Sequence, residues 1–197
     1  MKPRTDLALK EWAVVVDALL DGTQMVILRK GGIAEDPKGP FAVEDKEFWL
    51  YPTFTHQAED SVIPSRRGDL QVALAHKPAP GTLILPGYAE VVETVPLHSP
   101  DEMARLAGHH IWSPSYLKMR WDWKPDRPIW AIVMKVSRLA TPVVLEEKAE
   151  YGGCKSWVRL SEPAPTASLT PALDEKTFNA RVHALGRVLH PDRVSAV

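Results

Sequence analysis

Two short phrases in this 197-residue chain hold the residue types that recognition or catalysis needs. The first, Arg29-Lys30-Gly31-Gly32-Ile33, follows the β-like run Met25-Val26-Ile27-Leu28 and delivers two cations onto a glycine pair that lets a ligand approach the backbone closely. The second, Phe48-Trp49-Leu50-Tyr51-Pro52-Thr53 with His56-Gln57, gathers two large aromatics, a hydroxyl, an imidazole and an amide within ten residues. Such a set can stack on a flat ligand and hydrogen-bond its edge. Phosphate suits the first phrase and a base suits the second, so together they imply a nucleotide or a nucleic acid.

A third phrase, Gly153-Cys154-Lys155-Ser156-Trp157, reads as a turn entering a strand and can line the same pocket. The candidate ligand-binding set is Lys10, Arg29, Lys30, Gly31, Gly32, Trp49, Tyr51, Thr53, His56, Gln57, Lys155, Ser156 and Trp157. Strand alternation puts Arg29 and Lys30 on opposite faces and favours Arg29 as the phosphate contact; an ion pair with Glu11 or Glu47 is the competing role. Trp49 and Tyr51 share one face, which is either the ligand wall or core. The run Tyr116 to Lys124 interleaves cations with aromatics, the composition of a single-strand contact surface, against a solvated loop whose tryptophans cap the core.

For catalysis the candidates are Lys30, Glu47, Thr53 and His56; an acid–base set drawn from Lys10 or Lys30, from Glu11, Glu35 or Glu47, and from Thr53 is equally conceivable. No spacing selects one set, so catalysis stays open. Cys154 has no adjacent histidine base. The histidines are scattered without the spacing of a helical zinc motif, so neither a metal nor a cofactor is expected. His109-His110 should follow a helix end, where a protonated imidazole favours the dipole.

Composition limits what such a site is built on. The chain is 45% hydrophobic and 25% charged, enough for a sizeable core. A net charge of −1 argues against bulk electrostatic binding of nucleic acid, so any such contact must be local. A single cysteine excludes an internal disulfide and suits a reducing cytoplasm. The opening residues lack the apolar core of a signal peptide, and no apolar run approaches a membrane span.

The elements that must position these residues follow from periodicity. Residues 5–21 read as a helix ended by Gly22, and 23–30 as the strand that carries Arg29. Further strands are expected over 46–51, 70–76, 82–95, 128–139, 143–145 and 156–160. Ser99-Pro100-Asp101-Glu102 opens a helix with a serine cap and proline at its first position. Phe178, Val182, Leu185 and Leu189 mark a last amphipathic helix. The expected organisation is one globular domain over 1–162, a linker over 163–171, and a C-terminal helix over 172–190 that packs on or extends the domain and offers a surface to a protein partner. Irregular strand–helix order predicts an α+β fold on a mixed or antiparallel sheet, closed as a small β-barrel with flanking helices.

The phrases Ala8-Leu9-Lys10-Glu11-Trp12, Leu28 to Ile33, Phe48 to Thr53 with His56-Gln57, and Gly153 to Val158 together resemble the bacterial DUF1802 family over residues 7–160. That family has no established biochemical function. Some members are associated with an Mrr-type endonuclease domain, so the resemblance implies a restriction or defence context and the reading of a modified base. A second resemblance concerns layout. Leu19 to Gln24 running into the strand that ends at Arg29, then Gly87 to Val92, a capped helix, Pro128 to Val133 and Ser156 to Leu160, is similar to ASCH domains of the PUA-like superfamily. This implies a compact barrel that binds RNA or modified bases, with hydrolases among its members.

Overall fold

The structure is a computed structural model that describes residues 4–30, 46–153, 155–165 and 168–194. Gly31, Gly32, Glu35 and Cys154 lie outside the described residues. The elements run β1 (Arg4–Trp12), α1 (Ala13–Leu20), β2 (Val26–Arg29), β3 (Glu47–Thr53), α2 (Arg67–Ala75), β4 (Thr82–Leu97), α3 (Pro100–Ala104), α4 (Pro114–Asp122), β5 (Ile129–Glu146), β6 (Trp157–Pro165), β7 (Leu169–Pro171), α5 (Glu175–Leu189) and α6 (Pro191–Val194).

Among the described residues the strands form one mixed sheet in the order β2-β5-β4-β3-β1-β6, with β7 added on β5. Most pairs are antiparallel, but β1 and β3 run parallel, with Trp12 opposite Thr53 at their ends. The expected small β-barrel is overturned. The sheet is open, because both edges of β1 are taken by β3 and β6, and β2 pairs only with β5.

Several secondary-structure expectations give way for identifiable reasons. Residues 5–12 are strand, not helix. Alternate residues of β1 fill two cores on opposite faces, Leu7 and Leu9 on one and Ala8 on the other, so no polar face betrays the period of two. Residues 70–75 belong to α2 and His76 is its C-cap, with Leu70 and Ala73 the buried pair at helical spacing. The run from Tyr116 is helical as well: Ser113 Oγ accepts from the Tyr116 amide at 3.2 Å with Pro114 at the first position, the same signal that marks Ser99 and α3. The expected strands at 128–139 and 143–145 are one strand, β5.

The long strand expected at 82–95 is present as β4, with a register shift between Leu85 and Gly87. Glycine is required there by close approach, since a Cβ would lie 2.7 Å from the Ser137 carbonyl oxygen. Within 163–171, β6 continues to Pro165, and Leu169–Pro171 forms β7. The apolar face of α5 is occupied inside the chain: Phe178, Val182, Leu185 and Leu189 pack with Met25, Leu97, Leu106 and Ile129. No helix among the described residues is long and apolar enough to cross a membrane.

The pair His109-His110 departs from the expected dipole role. His110 is buried, its Nδ1 accepts from the Trp112 amide at 3.2 Å, and its Nε2 has no partner. Desolvation, with His109 nearby, lowers its pKa to about 4, so it is neutral. Between pH 6.5 and 4 the unfolded chain therefore binds a proton that the folded chain refuses, and stability falls as pH falls through that window, by on the order of 3 kcal/mol in total. Urea unfolding across this range should show that loss, and His110→Gln should remove most of it. An unchanged pH slope in the variant would contradict the assignment.

Candidate functional site

The carboxyl ends of parallel β1 and β3 open onto a cleft of about 880 Å³. Crevices outside strand carboxyl ends are where open sheets bind ligands, because backbone groups and loops converge there. The far walls come from the start of α1, the end of β2, the segment after α2, the face of α4 that carries Tyr116 and Arg120, and from Gly152, Gly153, Lys155 and Ser156.

Glu11 is the centre of this end of the molecule. It is 5% exposed, its Oε2 accepts from Arg29 Nη1 at 3.0 Å, and its Oε1 accepts from the Trp12 amide at 2.8 Å, where β1 passes directly into α1. Thr53 Oγ1 donates to the Glu11 carbonyl at 3.0 Å. The ion pair weighed from sequence as Arg29's alternative role is thus present. Arg29 still lines the cleft, and so does Lys30, because Lys30 lies one residue beyond β2 and escapes its alternation. The Lys30 amine donates to the Trp121 carbonyl and sits 4.8 Å from the Trp121 ring centroid. Burial, and then the Arg120 guanidinium, hold its pKa below the usual lysine range.

Alternation along β1 sends Lys10 to the opposite face from Glu11. Lys10 Nζ donates to the Tyr151 and Gly153 carbonyls and lies 5.3 Å from the Tyr51 ring centroid. Tyr51 is 3% exposed and its hydroxyl donates to Glu147 Oε1 at 2.7 Å; burial and this carboxylate raise its pKa. Lys155 and Ser156 complete that bank, and the Ser156 carbonyl accepts from the Lys10 amide at 2.8 Å. The cleft therefore straddles both faces of the sheet at its end. Six lysines and arginines line it (Lys10, Arg29, Lys30, Lys77, Arg120, Lys155) against three carboxylates (Glu11, Asp17, Glu147).

Of the residues singled out from sequence, Lys10, Arg29, Lys30, Tyr51, Thr53, His56, Lys155 and Ser156 come together on the cleft. Exposed His56 stands at φ 59°, in the left-handed region. Trp49, Gln57, Trp157 and Glu47 are not among its lining residues. Trp49 is fully buried, donates from Nε1 to the Thr5 carbonyl at 3.1 Å and meets Tyr88 edge to face at 5.3 Å. Trp157 packs edge-on to Phe48 at 5.0 Å. Gln57 Nε2 donates to the Thr53 carbonyl, and Glu47 accepts from the Tyr88 hydroxyl at 2.8 Å. Among the described residues no group of three or more His, Cys, Asp or Glu is placed to hold a metal ion.

The candidate ligand-binding set left out Trp12 and Phe54, which line the cleft, and Tyr116, Arg120 and Trp123, which line it as part of the run read separately as a single-strand contact surface. Trp12 meets Trp112 edge to face at 5.0 Å, and Tyr116 stacks on Trp112 at 4.4 Å. The signal was available: Ser113-Pro114 opens a helix, and Tyr116 and Arg120 then stand one turn apart on one face.

Fold and site together define an α+β protein with an open mixed sheet and a cationic, aromatic-walled cleft over its parallel strand ends. The chain belongs to the DUF1802 family, described as a domain of unknown function, whose profile matches residues 8–184. No curated protein matches it in sequence. Two solved structures of an ASCH protein from Zymomonas mobilis are similar in fold. A serine-to-alanine mutant has a TM-score of 0.41 and 13% identity, covering 94% of this chain and 99% of that one. The other, described simply as ASCH, has a TM-score of 0.39 and 13% identity, covering 91% and 94%. A likeness at this level carries no residue role or activity across to the present chain.

Removing Glu11 would leave the Arg29 guanidinium, 15% exposed, beside an unsatisfied helix start. Glu11→Ala should cost about 3 kcal/mol in urea unfolding, and Glu11→Gln less, because the amide oxygen can still accept from Trp12. A loss under about 1 kcal/mol in Glu11→Ala would put the pair in the class of weak surface bridges.

Proposed function

We propose that the cleft binds a nucleotide or nucleic acid. One observation carries this reading: a chain of net charge −1 concentrates six cationic side chains against three carboxylates in a single aromatic-walled cleft. Glu11 and Arg29 pair with each other, which leaves five cations against two carboxylates. The Lys30 amine is buried against the Trp121 carbonyl and adds positive potential from behind, which leaves the Arg120 guanidinium as the cation that meets an anion on this side. Phosphate supplies that anion, and the rings of Tyr116, Trp12 and Trp123 supply apolar surface for a base. Reading of a modified base in a restriction or defence setting, which family resemblance suggests, would fall to this same cleft.

Hydrolysis is a second reading, favoured by the lowered pKa of Lys30 in the same cleft as Thr53 and Glu11. It requires turnover of a nucleic acid or acylated nucleoside that Lys30→Ala abolishes with the circular dichroism spectrum intact. Absence of turnover removes this reading and leaves the binding one standing.

The binding test is direct, because Trp12 and Trp123 line the cleft and report on it. Nucleotide or oligonucleotide should quench tryptophan fluorescence, with affinity falling as salt rises and counterion release is lost. Arg120→Ala should weaken binding by about tenfold, the scale of one charge-assisted phosphate contact. No change in fluorescence with any DNA, RNA or nucleotide at low salt would overturn the proposal.

A further inference from the structure

Three observations bear on the size of the ligand, and they rest on the cleft being the nucleotide site. The volume of about 880 Å³ sits near the top of the roughly 300–1,000 Å³ range of small-molecule pockets. Its cations fall into two groups on opposite faces of the sheet end: Arg29 and Arg120 stand on the Glu11 side, Lys155 beside Lys10 and Tyr51 on the other. A nucleoside monophosphate offers a single phosphate to two cationic groups on opposite faces, whereas successive nucleotides offer one to each.

The third observation lies at the rim. Trp123 follows α4 directly and is 45% exposed, although tryptophan is among the residues folding most consistently covers. The Arg120 guanidinium lies 5.1 Å and the Lys124 amine 4.4 Å from its ring centroid. Lys124 stands at φ 52°, a left-handed conformation that a lysine adopts at a cost, and its amine lies over the ring. An exposed indole with two cations over its ring combines a π-surface with phosphate contacts, and a base that stacks there takes the place of one cation, which turns to the strand's phosphate. Duplex bases are stacked on one another and do not offer that face, so the platform selects an unpaired strand.

We infer that the ligand is a single-stranded nucleic acid that crosses the strand ends, with successive phosphates on the Arg29–Arg120 and Lys155 sides and a flanking base on Trp123. Specific binding is thereby a property of several consecutive nucleotides. Phosphate and base contacts are common to DNA and RNA strands, so separate arms of the test address each.

The test uses the full chain and compares thymidine 5′-monophosphate with deoxythymidine and uridine oligomers of about ten nucleotides, within the roughly 4–16-nucleotide range of single-strand sites. Affinity of at least one oligomer should exceed that of the mononucleotide by more than about tenfold, and Trp123→Ala should reduce that advantage by about tenfold, the scale of one lost stack. Trp123→Phe should restore most of it. Lys155→Ala should lower the salt dependence of oligomer binding by about one phosphate contact. Equal affinity for mononucleotide and oligomers, or an oligomer advantage that Trp123→Ala leaves intact, overturns this inference while the cleft remains a nucleotide site. Failure of every ligand to bind overturns both.

Discussion

Glu11 holds this end of the molecule together. Three of its oxygens are engaged, one with the Trp12 amide at the start of α1, one with Arg29 at the end of β2, and its carbonyl with Thr53 at the end of β3. Three strands separate β1 from β2 in the sheet, so flat spacing would set them about 19 Å apart, too far for these two side chains to meet. Contact at 3.0 Å therefore requires the sheet to curl until its β1 and β2 ends face one another across a gap. That gap is the cleft.

Curling without closure has a chemical consequence. A closed barrel would fill this end with paired backbone and packed side chains. Here the parallel strands β1 and β3 end together, and their last side chains alternate between two faces. Lys10 is directed to the Tyr51 and Tyr151 side, and Glu11 to the Arg29 and Tyr116 side. One strand thus reaches both banks, with Lys10 as a cation on one and Glu11 as the anchor of Arg29 on the other, where Arg120 from α4 adds a second cation. The aromatic trio of Trp12, Trp112 and Tyr116 ties α4 to the end of β1, so Arg120 is fixed relative to Arg29 by packing.

Much of this was legible in the sequence, and the failures share a cause. Residue types led to the cleft: cations at Lys10, Arg29, Lys30 and Lys155 do line it. Local geometry misled where both faces of a strand are buried, as in β1, which hid its alternation, and where strand parity was extended past a strand's end, as at Lys30. Trp49 was chosen for its ring, but its place in a core on the second face follows from tertiary packing that no short window reveals. Arg120 and Trp123 fall in the run read from sequence as a contact surface, and Ser113-Pro114, as clear a helix start as Ser99-Pro100, puts that run on α4 and its C-terminal end. Closure of the sheet is different in kind. It depends on which strand takes the second edge of β1, and that choice of β6 over β2 is made across more than a hundred residues of chain.

The central claim is that ligand sits over the ends of β1 and β3 and against α4. Hydrogen–deuterium exchange of the full chain, with and without saturating single-stranded oligonucleotide, tests it by location. Protection is expected at the amides of residues 12–14, 53–56, 120–124 and 155–156, with α5 and the middle of β5 unchanged. Protection confined to α5 or to β7, or none at a concentration where fluorescence reports saturation, would contradict it.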